Sequence, residues 1–425
     1  MDIFKRYIDQ QKDQFAHLLD QPAKDATLFV VIPCFNEPDI LTTLNSLAEC
    51  FPPKRTVSVL IVVNDSETSV VEAVIQNKNT LDSIENWQLE NPGIFLNINR
   101  IYAGSLPKKW AGVGWARKIG MDEVIRQITN SGLTEAIIVS LDADSRVSRN
   151  YLQNIGEAFD KNPGFNFFTI NFEHPIEIQE LNSREREGII RYELHMRFYR
   201  NAMSWCGYPH AIHTVGSSFA LKASSYVKQG GMNRRQAGED FYFLHKLVLL
   251  GRYGNITNGT VFPASRMSDR VPFGTGAAMK KWIEGNDELY TTYSLVAFDN
   301  LRQLFLNICS LWDMNEVELA NFFDSLDPLL AEFCNKSGTF NQLAELKKNC
   351  SGTNIYQQRT FHLLNAFWIL KYLNFAHESS LPRQDLQMES IRLLHNLGIP
   401  VPTDISLETL LSIYRKLDVN AVVNY

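Results

Sequence analysis

Apolar and polar positions follow two regimes along the 425 residues of this chain. Up to about residue 275, short β-branched runs stop abruptly at polar residues; beyond Trp282, apolar residues recur at helical spacing. LFVVIPCFNE, residues 28 to 37, reads as a buried strand halted at Pro33, after which Ile40, Leu44 and Leu47 share one helix face between Pro38 and Cys50. VSVLIVVND, residues 57 to 65, repeats the strand pattern and delivers Asn64 and Asp65 to its end. AIIVSLDADS, residues 136 to 145, sets Ile137, Ile138 and Val139 ahead of Asp142 and Asp144, which places both aspartates at the edge of a sheet covered on both faces. TVGSSFALKASSYVKQGGM, residues 214 to 232, predicts a strand, a helix and a glycine turn.

The fold class expected is therefore α/β, in three parts: an N-terminal helix over 1–26 with Phe4, Ile8 and Phe15 on its packing face, an α/β domain over 27–275, and an α-helical C-terminal domain over 276–425. The helical faces of the last part run through Leu301-Leu304-Phe305, Phe322-Leu326-Leu329-Leu330, Leu363-Leu364-Phe367-Leu370 and Ile391-Leu394-Leu397, without a fixed-period repeat. Leu363 to Phe375 is the longest apolar stretch, but it is too short to span a bilayer and contains Asn365, Lys371 and Asn374. It reads as one core helix.

Ligands of open α/β sheets sit at the carboxyl ends of the strands, where Asp142 and Asp144 fall. Their hard oxygens suit Mg²⁺ or Mn²⁺ completed by substrate phosphates and water, although a bare D-x-D is also a common turn. Asp65 is placed to hydrogen-bond a base or ribose, or to serve as a turn residue. Gly112 and Gly114 open a helix with Arg117 in its first turns, where it either meets a ligand or lies on a solvated helix face; Arg117 replaces the third glycine of a dinucleotide fingerprint and no strand precedes, so a nicotinamide site is rejected. The standard P-loop motif is absent. Glu239 and Asp240 stand in the first turn of a helix faced by Phe241, Leu244, Leu247 and Val248, where the helix dipole also favours acids.

The formal charge of −6 gives no global reason to expect nucleic-acid binding, and 45% hydrophobic residues can fill the cores of more than one domain. MDIFKRYIDQQKDQF lacks the apolar region of a signal peptide. The six cysteines form no C-x-x-C pair and read as reduced, and the nine histidines make no zinc pattern.

Five segments in order, IPCFNE, VVND, GVGWARKIG, SLDADS and GEDFYFLHKL, resemble the motifs of glycosyltransferase family 2, the nucleotide-sugar-dependent enzymes of GT-A (Rossmann-like) fold. The match spans about residues 28 to 275, with two departures: Asn64-Asp65 stands where the family usually has two aspartates, and the Q-x-x-R-W of processive synthases is absent, Ala278 to Trp282 being the nearest text. The resemblance implies transfer of a sugar from a UDP- or GDP-linked donor to a saccharide or other hydroxyl acceptor, inverting and dependent on Mn²⁺ or Mg²⁺. It implies donor contacts from Pro33, Asn36, Glu37, Asn64, Asp65, Arg117 and Asp142, and metal ligation by Asp144 with Asp142. Asp240 is then the base that takes the acceptor proton, with Glu239 orienting it or exchanging roles. Gly216 and Ser217 would let the sugar approach the backbone, while SRMSDRVPFGTG, residues 265 to 276, reads either as a lid that closes Arg266 and Arg270 over the diphosphate about Gly274 and Gly276 or as a solvated surface loop. His213 and His245 flank the late motifs; some GT-A enzymes add a histidine to the metal, but structural histidines are the better reading here. A soluble, cytoplasmic, bacterial enzyme is expected, and a homo-oligomer is compatible. Alternatives are a retaining GT-A transferase, a nucleotidyltransferase, or an inactive sugar- or nucleotide-binding scaffold.

Overall fold

β-Branched runs build the centre of a large mixed sheet in the computed structural model, which describes residues 2–11, 16–177, 181–233, 238–266 and 274–420. In chain order the elements are α1 (Ile3–Gln10), β1 (His17–Leu18), β2 (Leu28–Cys34), α2 (Ile40–Ala48), β3 (Val57–Ser66), α3 (Val71–Glu90), β4 (Leu96–Leu106), α4 (Val113–Ser131), β5 (Ile137–Ser140) and β6 (Arg146–Val147). They continue with α5 (Tyr151–Lys161), β7 (Phe167–Phe172), α6 (Ser183–Trp205), β8 (Phe219–Lys222), α7 (Ala223–Lys228), α8 (Glu239–Val248), β9 (Tyr253–Phe262) and α9 (Thr275–Ile283). Among the described residues the sheet has nine strands in the order β1-β4-β3-β2-β5-β8-β7-β9-β6. β4, β3, β2 and β5 run parallel, so the polar residues that follow them emerge on one edge. β8 is antiparallel to both β5 and β7.

Every residue of β2 is buried, as expected of a parallel strand covered on both faces. The strand does not stop at Pro33: it continues to Cys34, with Pro33 opposite Val62. Pairing with β5 ends at Val31 and Ser140, and the Leu141 amide donates to the Val31 carbonyl, so Pro33 faces the side where the ladder has already ended. Its missing N–H therefore costs no ladder bond.

The N-terminal segment also differs from the expected helix over 1–26. Among its described residues only Ile3–Gln10 is helical, and His17–Leu18 pairs antiparallel with β4. Phe4 and Tyr7 are the buried residues of α1, Ile8 is half-buried, and Phe15 lies outside the described residues. Tyr7 is anchored by chemistry the apolar pattern cannot show: its hydroxyl and that of Tyr226 each donate to Asp122 Oδ1 at 2.7 Å, and Lys118 Nζ donates to Asp122 Oδ2 at 2.6 Å. This ties α1 and α7 to α4.

Helix α4 lies close on the sheet because of Gly120. A Cβ there would stand 2.4 Å from Val31 Cγ1 and 3.0 Å from Val62 Cγ2, so alanine would push the helix off β2 and β3. That close approach sets the position of Arg117, one turn earlier on the same helix.

Two units divide the chain: Met1–Ile189 with Thr214–Glu284 and Lys416–Tyr425, and Ile190–His213 with Gly285–Arg415. The second is helical apart from a two-residue pairing of Thr291–Thr292 with Gln384–Asp385. Inside it, fully buried Glu193 accepts from Arg197 Nε at 2.8 Å and Arg415 Nε at 2.7 Å. Leu301, Leu304 and Phe305 are buried on the face their spacing marks. Leu363 to Phe375 is not one helix, because Asn365 caps a new one at Ala366–Ser379 by accepting from the Phe367 and Trp368 amides at 3.0 and 3.2 Å. The buried face shifts accordingly to Trp368, Ile369, Tyr372 and Leu373. Among the described residues, no helix is long and apolar enough to cross a membrane.

Candidate functional site

The strand ends bring most of the sequence-marked polar residues to one edge, where they form three linked groups. At the end of β3, Asp65 is 2% exposed and accepts from the Ser105 amide at 2.6 Å, from Asn77 Nδ2 at 3.3 Å and from the Tyr102 hydroxyl at 3.3 Å. Ser105 adopts φ +54° to present that amide. A carboxylate has about four acceptor positions, so roughly one is left for a ligand. Asn64, also buried, accepts from Asn77 through its backbone carbonyl at 2.9 Å. Asn36, in the left-handed region at φ 48°, donates its amide to Asn77 Oδ1 at 2.9 Å.

Asn77 is therefore the residue the sequence reading missed. It is fully buried on α3 and holds the ends of β2 and β3 together. A signal was present: Ala73, Asn77, Thr80, Ile84 and Trp87 form the buried face of α3, so an amide sits on an otherwise core-facing stripe.

The second group joins Glu37, Arg266 and Asp144. Glu37 is 0% exposed; one carboxylate oxygen accepts from the Asp39 amide at 2.9 Å and the other is bound by Arg266. Arg266 also stands 3.7 Å from Asp144, whose side chain is 26% exposed. Arg266 thus spans the ends of β2 and β5. Arg270 lies outside the described residues. Gly274, at φ +99°, caps α9, and Gly276 is inside that helix.

The third group is built around Arg117, which is 3% exposed rather than on a solvated face. Its guanidinium binds Asp142 through one nitrogen and Glu239 through the other. Gly216 makes room for it: a Cβ there would stand 2.6 Å from Arg117 Nη2. The space expected for a sugar against the Gly216 backbone is thus occupied by the arginine. Gly238, in the left-handed region at φ 68°, opens α8 and sets Glu239 and Asp240 in its first turn. Burial pushes the Glu239 carboxyl up to about 7, with Arg117 opposing the rise and Asp240 adding to it. Burial also raises Asp240 above the usual carboxylate range, again against Arg117. Among the described residues, Asp142, Glu239 and Asp240 surround the one Arg117 guanidinium, and this burial among like charges is what raises the Glu239 and Asp240 carboxyls. Glu239 is 2% exposed, whereas Asp240 is half-buried.

Pro33 lies inside β2 and offers no polar hydrogen to a donor. His245 sits on α8 with its ring edge-on to Phe241 at 4.5 Å, and His213 falls in the second unit. No group of three or more His, Cys, Asp or Glu side chains placed to hold a metal occurs among the described residues.

No family model and no curated protein matches the chain. Among solved structures it is similar to S. aureus TarS 1–349 in complex with UDP-GlcNAc, at 14% identity and TM-score 0.41, over 79% of this chain and 92% of that one. For TarS 1–349 in complex with UDP the values are 13%, 0.38, 80% and 92%. Against S. aureus TarS they are 14% and 0.34, over 66% of this chain and 43% of that one, so the chain spans less than half of that protein's length. Likeness at this level extends to neither a substrate nor the role of a residue.

Proposed function

We propose that this chain is a glycosyltransferase that moves a sugar from a UDP- or GDP-linked donor to an acceptor hydroxyl with inversion. The observation that carries the reading is the buried arginine–carboxylate cluster of Arg117, Asp142, Glu239 and Asp240, at the same sheet edge as Asp65 and Asp144. The order of the five motifs supports it as well.

In this reading Asp65, held by Asn77, takes a nucleoside hydroxyl or base edge, and Asn36 and Asn64 shape the pocket wall. The diphosphate lies toward Asp142, Asp144 and Arg266. Asp142 and Asp144 fit Mg²⁺ or Mn²⁺: both offer hard oxygens one residue apart, Asp144 is partly open, and such ions take their remaining ligands from phosphate and water. A bound divalent ion would neutralise charge on the departing diphosphate. Arg266 then exchanges Glu37 or Asp144 for phosphate oxygens as the donor arrives.

Asp240 is the better base because it is more open than Glu239, which Arg117 holds. The acceptor oxygen forms its bond to the anomeric carbon as the bond to the diphosphate oxygen breaks; the hydroxyl proton passes to Asp240 and the nucleoside diphosphate leaves. Glu239 and Arg117 orient that carboxylate.

The test is a thermal-shift panel of UDP- and GDP-sugars with and without Mn²⁺. A donor at a hundredfold its dissociation constant stabilises the fold by about 2.7 kcal/mol. Stabilisation by one nucleotide sugar, followed by its consumption with an acceptor, supports transfer. No shift with any member would sink the reading, and binding without consumption would make the chain a scaffold.

A further inference from the structure

The start of α3 carries an apolar patch that neither the core nor the site uses. Val70, Val71 and Ile75 are 64%, 68% and 52% exposed, with Val71 and Ile75 one turn apart on the same face. The opposite face of the helix is the one that buries Ala73 and Asn77. Single exposed aliphatics are ordinary, but three β-branched neighbours within two turns are a patch.

This patch is tied to a second exposed segment. The Lys108 amide donates to the Glu67 carboxylate at 3.2 Å, the Glu67 amide donates to the Leu106 carbonyl at 2.9 Å, and Ser66 pairs with Leu106 in the ladder of β3 and β4. Lys108 and Lys109 are exposed and Trp110 is half-buried. The Trp110 ring stacks on buried Trp115 at 5.5 Å and 19°, with Lys109 Nζ 4.7 Å from the Trp110 ring centre. Glu67 is engaged as described, and Glu72 stands in the first turn of α3.

Aliphatic side chains beside lysines and a tryptophan suit a lipid interface: the aliphatics enter the acyl boundary, the indole lies at headgroup depth, and the lysines meet anionic headgroups. A protein partner is the poorer match, because lysine is depleted in protein–protein cores. The net charge of −6 makes the attraction local to this rim rather than a property of the whole chain. We propose that Val70, Val71, Ile75, Lys108, Lys109 and Trp110 form a docking surface for a bilayer bearing anionic lipids. The proposal stands apart from sugar transfer, although the surface adjoins the strand end that carries Asp65.

Vesicle sedimentation tests it with the full chain, using phosphatidylcholine alone and phosphatidylcholine with phosphatidylglycerol. The wild type should bind the anionic vesicles at least about tenfold more tightly than the neutral ones. Val71→Glu/Ile75→Glu and Lys108→Glu/Lys109→Glu should each weaken that binding by about tenfold or more, at unchanged unfolding temperature. Failure of the wild type to bind either vesicle, or equal binding by the variants, overturns the proposal. So does lipid-free self-association that Val71→Glu/Ile75→Glu abolishes, which would make the patch a protein interface.

Discussion

Replacing Arg117 by Met keeps a long side chain on α4 but removes the positive charge that pairs with Asp142 and Glu239 beside Asp240. Breaking a buried ion pair from one side costs about 3–5 kcal/mol, because the remaining charge is left uncompensated. For a unit of this size about 1 kcal/mol moves the unfolding temperature by roughly 2–4 °C, so a fall on the order of 6–20 °C is expected near pH 8. The pH dependence follows from Glu239, whose folded carboxyl is already pushed up to about 7 by burial. A raised folded pKa means that the folded state binds more protons than the unfolded state, so stability is lost as pH rises from the ordinary carboxylate range through about 7. Removing Arg117 raises that carboxyl further, extending the loss to higher pH. The deficit of Arg117→Met should therefore be smaller at pH 5.5 than at pH 8, and Arg117→Met/Glu239→Gln should recover part of it at pH 8. Thermal unfolding of the wild type and the two variants at both pH values measures this. A deficit below about 1 kcal/mol, or one independent of pH, would refute the buried-cluster account.

Three further outcomes follow from the other groups. Asp144→Asn should keep its fold and lose divalent-dependent donor binding, measured by metal titration with UDP- and GDP-sugars; unchanged metal dependence would remove Asp144 from the site. Arg266→Ala/Arg270→Ala should weaken nucleoside diphosphates more than nucleosides in calorimetry, and equal effects would rule out a diphosphate contact. Asn77→Ala leaves the Asn36 amide and the Asn64 carbonyl without their partner, so it should cost about 1–3 kcal/mol in unfolding and weaken nucleoside binding as well; a stable variant with normal affinity would exclude Asn77 as the organising residue.

The sheet and its polar edge were legible because strand ends are written as a change from β-branched to polar residues, as at Val63-Asn64 and Leu141-Asp142. Pro33 misled because a proline is harmless where a ladder has already ended, and the extent of β5 cannot be read from β2. Asn365 misled in the opposite direction: its cap splits an apolar run that periodicity alone would keep whole. The Arg117 cluster was visible only as separate acids and a base. That they meet depends on Gly120 letting α4 down onto the sheet and on Gly216 leaving room for the guanidinium, and both are contacts between distant segments. Asn77 was hidden for the same reason, since its partners come from β2 and β3.

The central claim, that the cluster performs transfer rather than only holding the fold, is tested most directly by product formation in Asp240→Asn beside Glu239→Gln. The amide at position 240 preserves shape and the helix start but removes the proton acceptor. Product formation from the nucleotide sugar found by thermal shift should fall by about 10² to 10⁴, with donor affinity and unfolding temperature near those of the wild type. Because burial raises the Asp240 carboxyl, the wild-type rate should also still be rising with pH above the ordinary aspartate range. Near-normal turnover by Asp240→Asn with a large loss in Glu239→Gln would move the base to Glu239, and near-normal turnover by both would contradict a catalytic role for the pair.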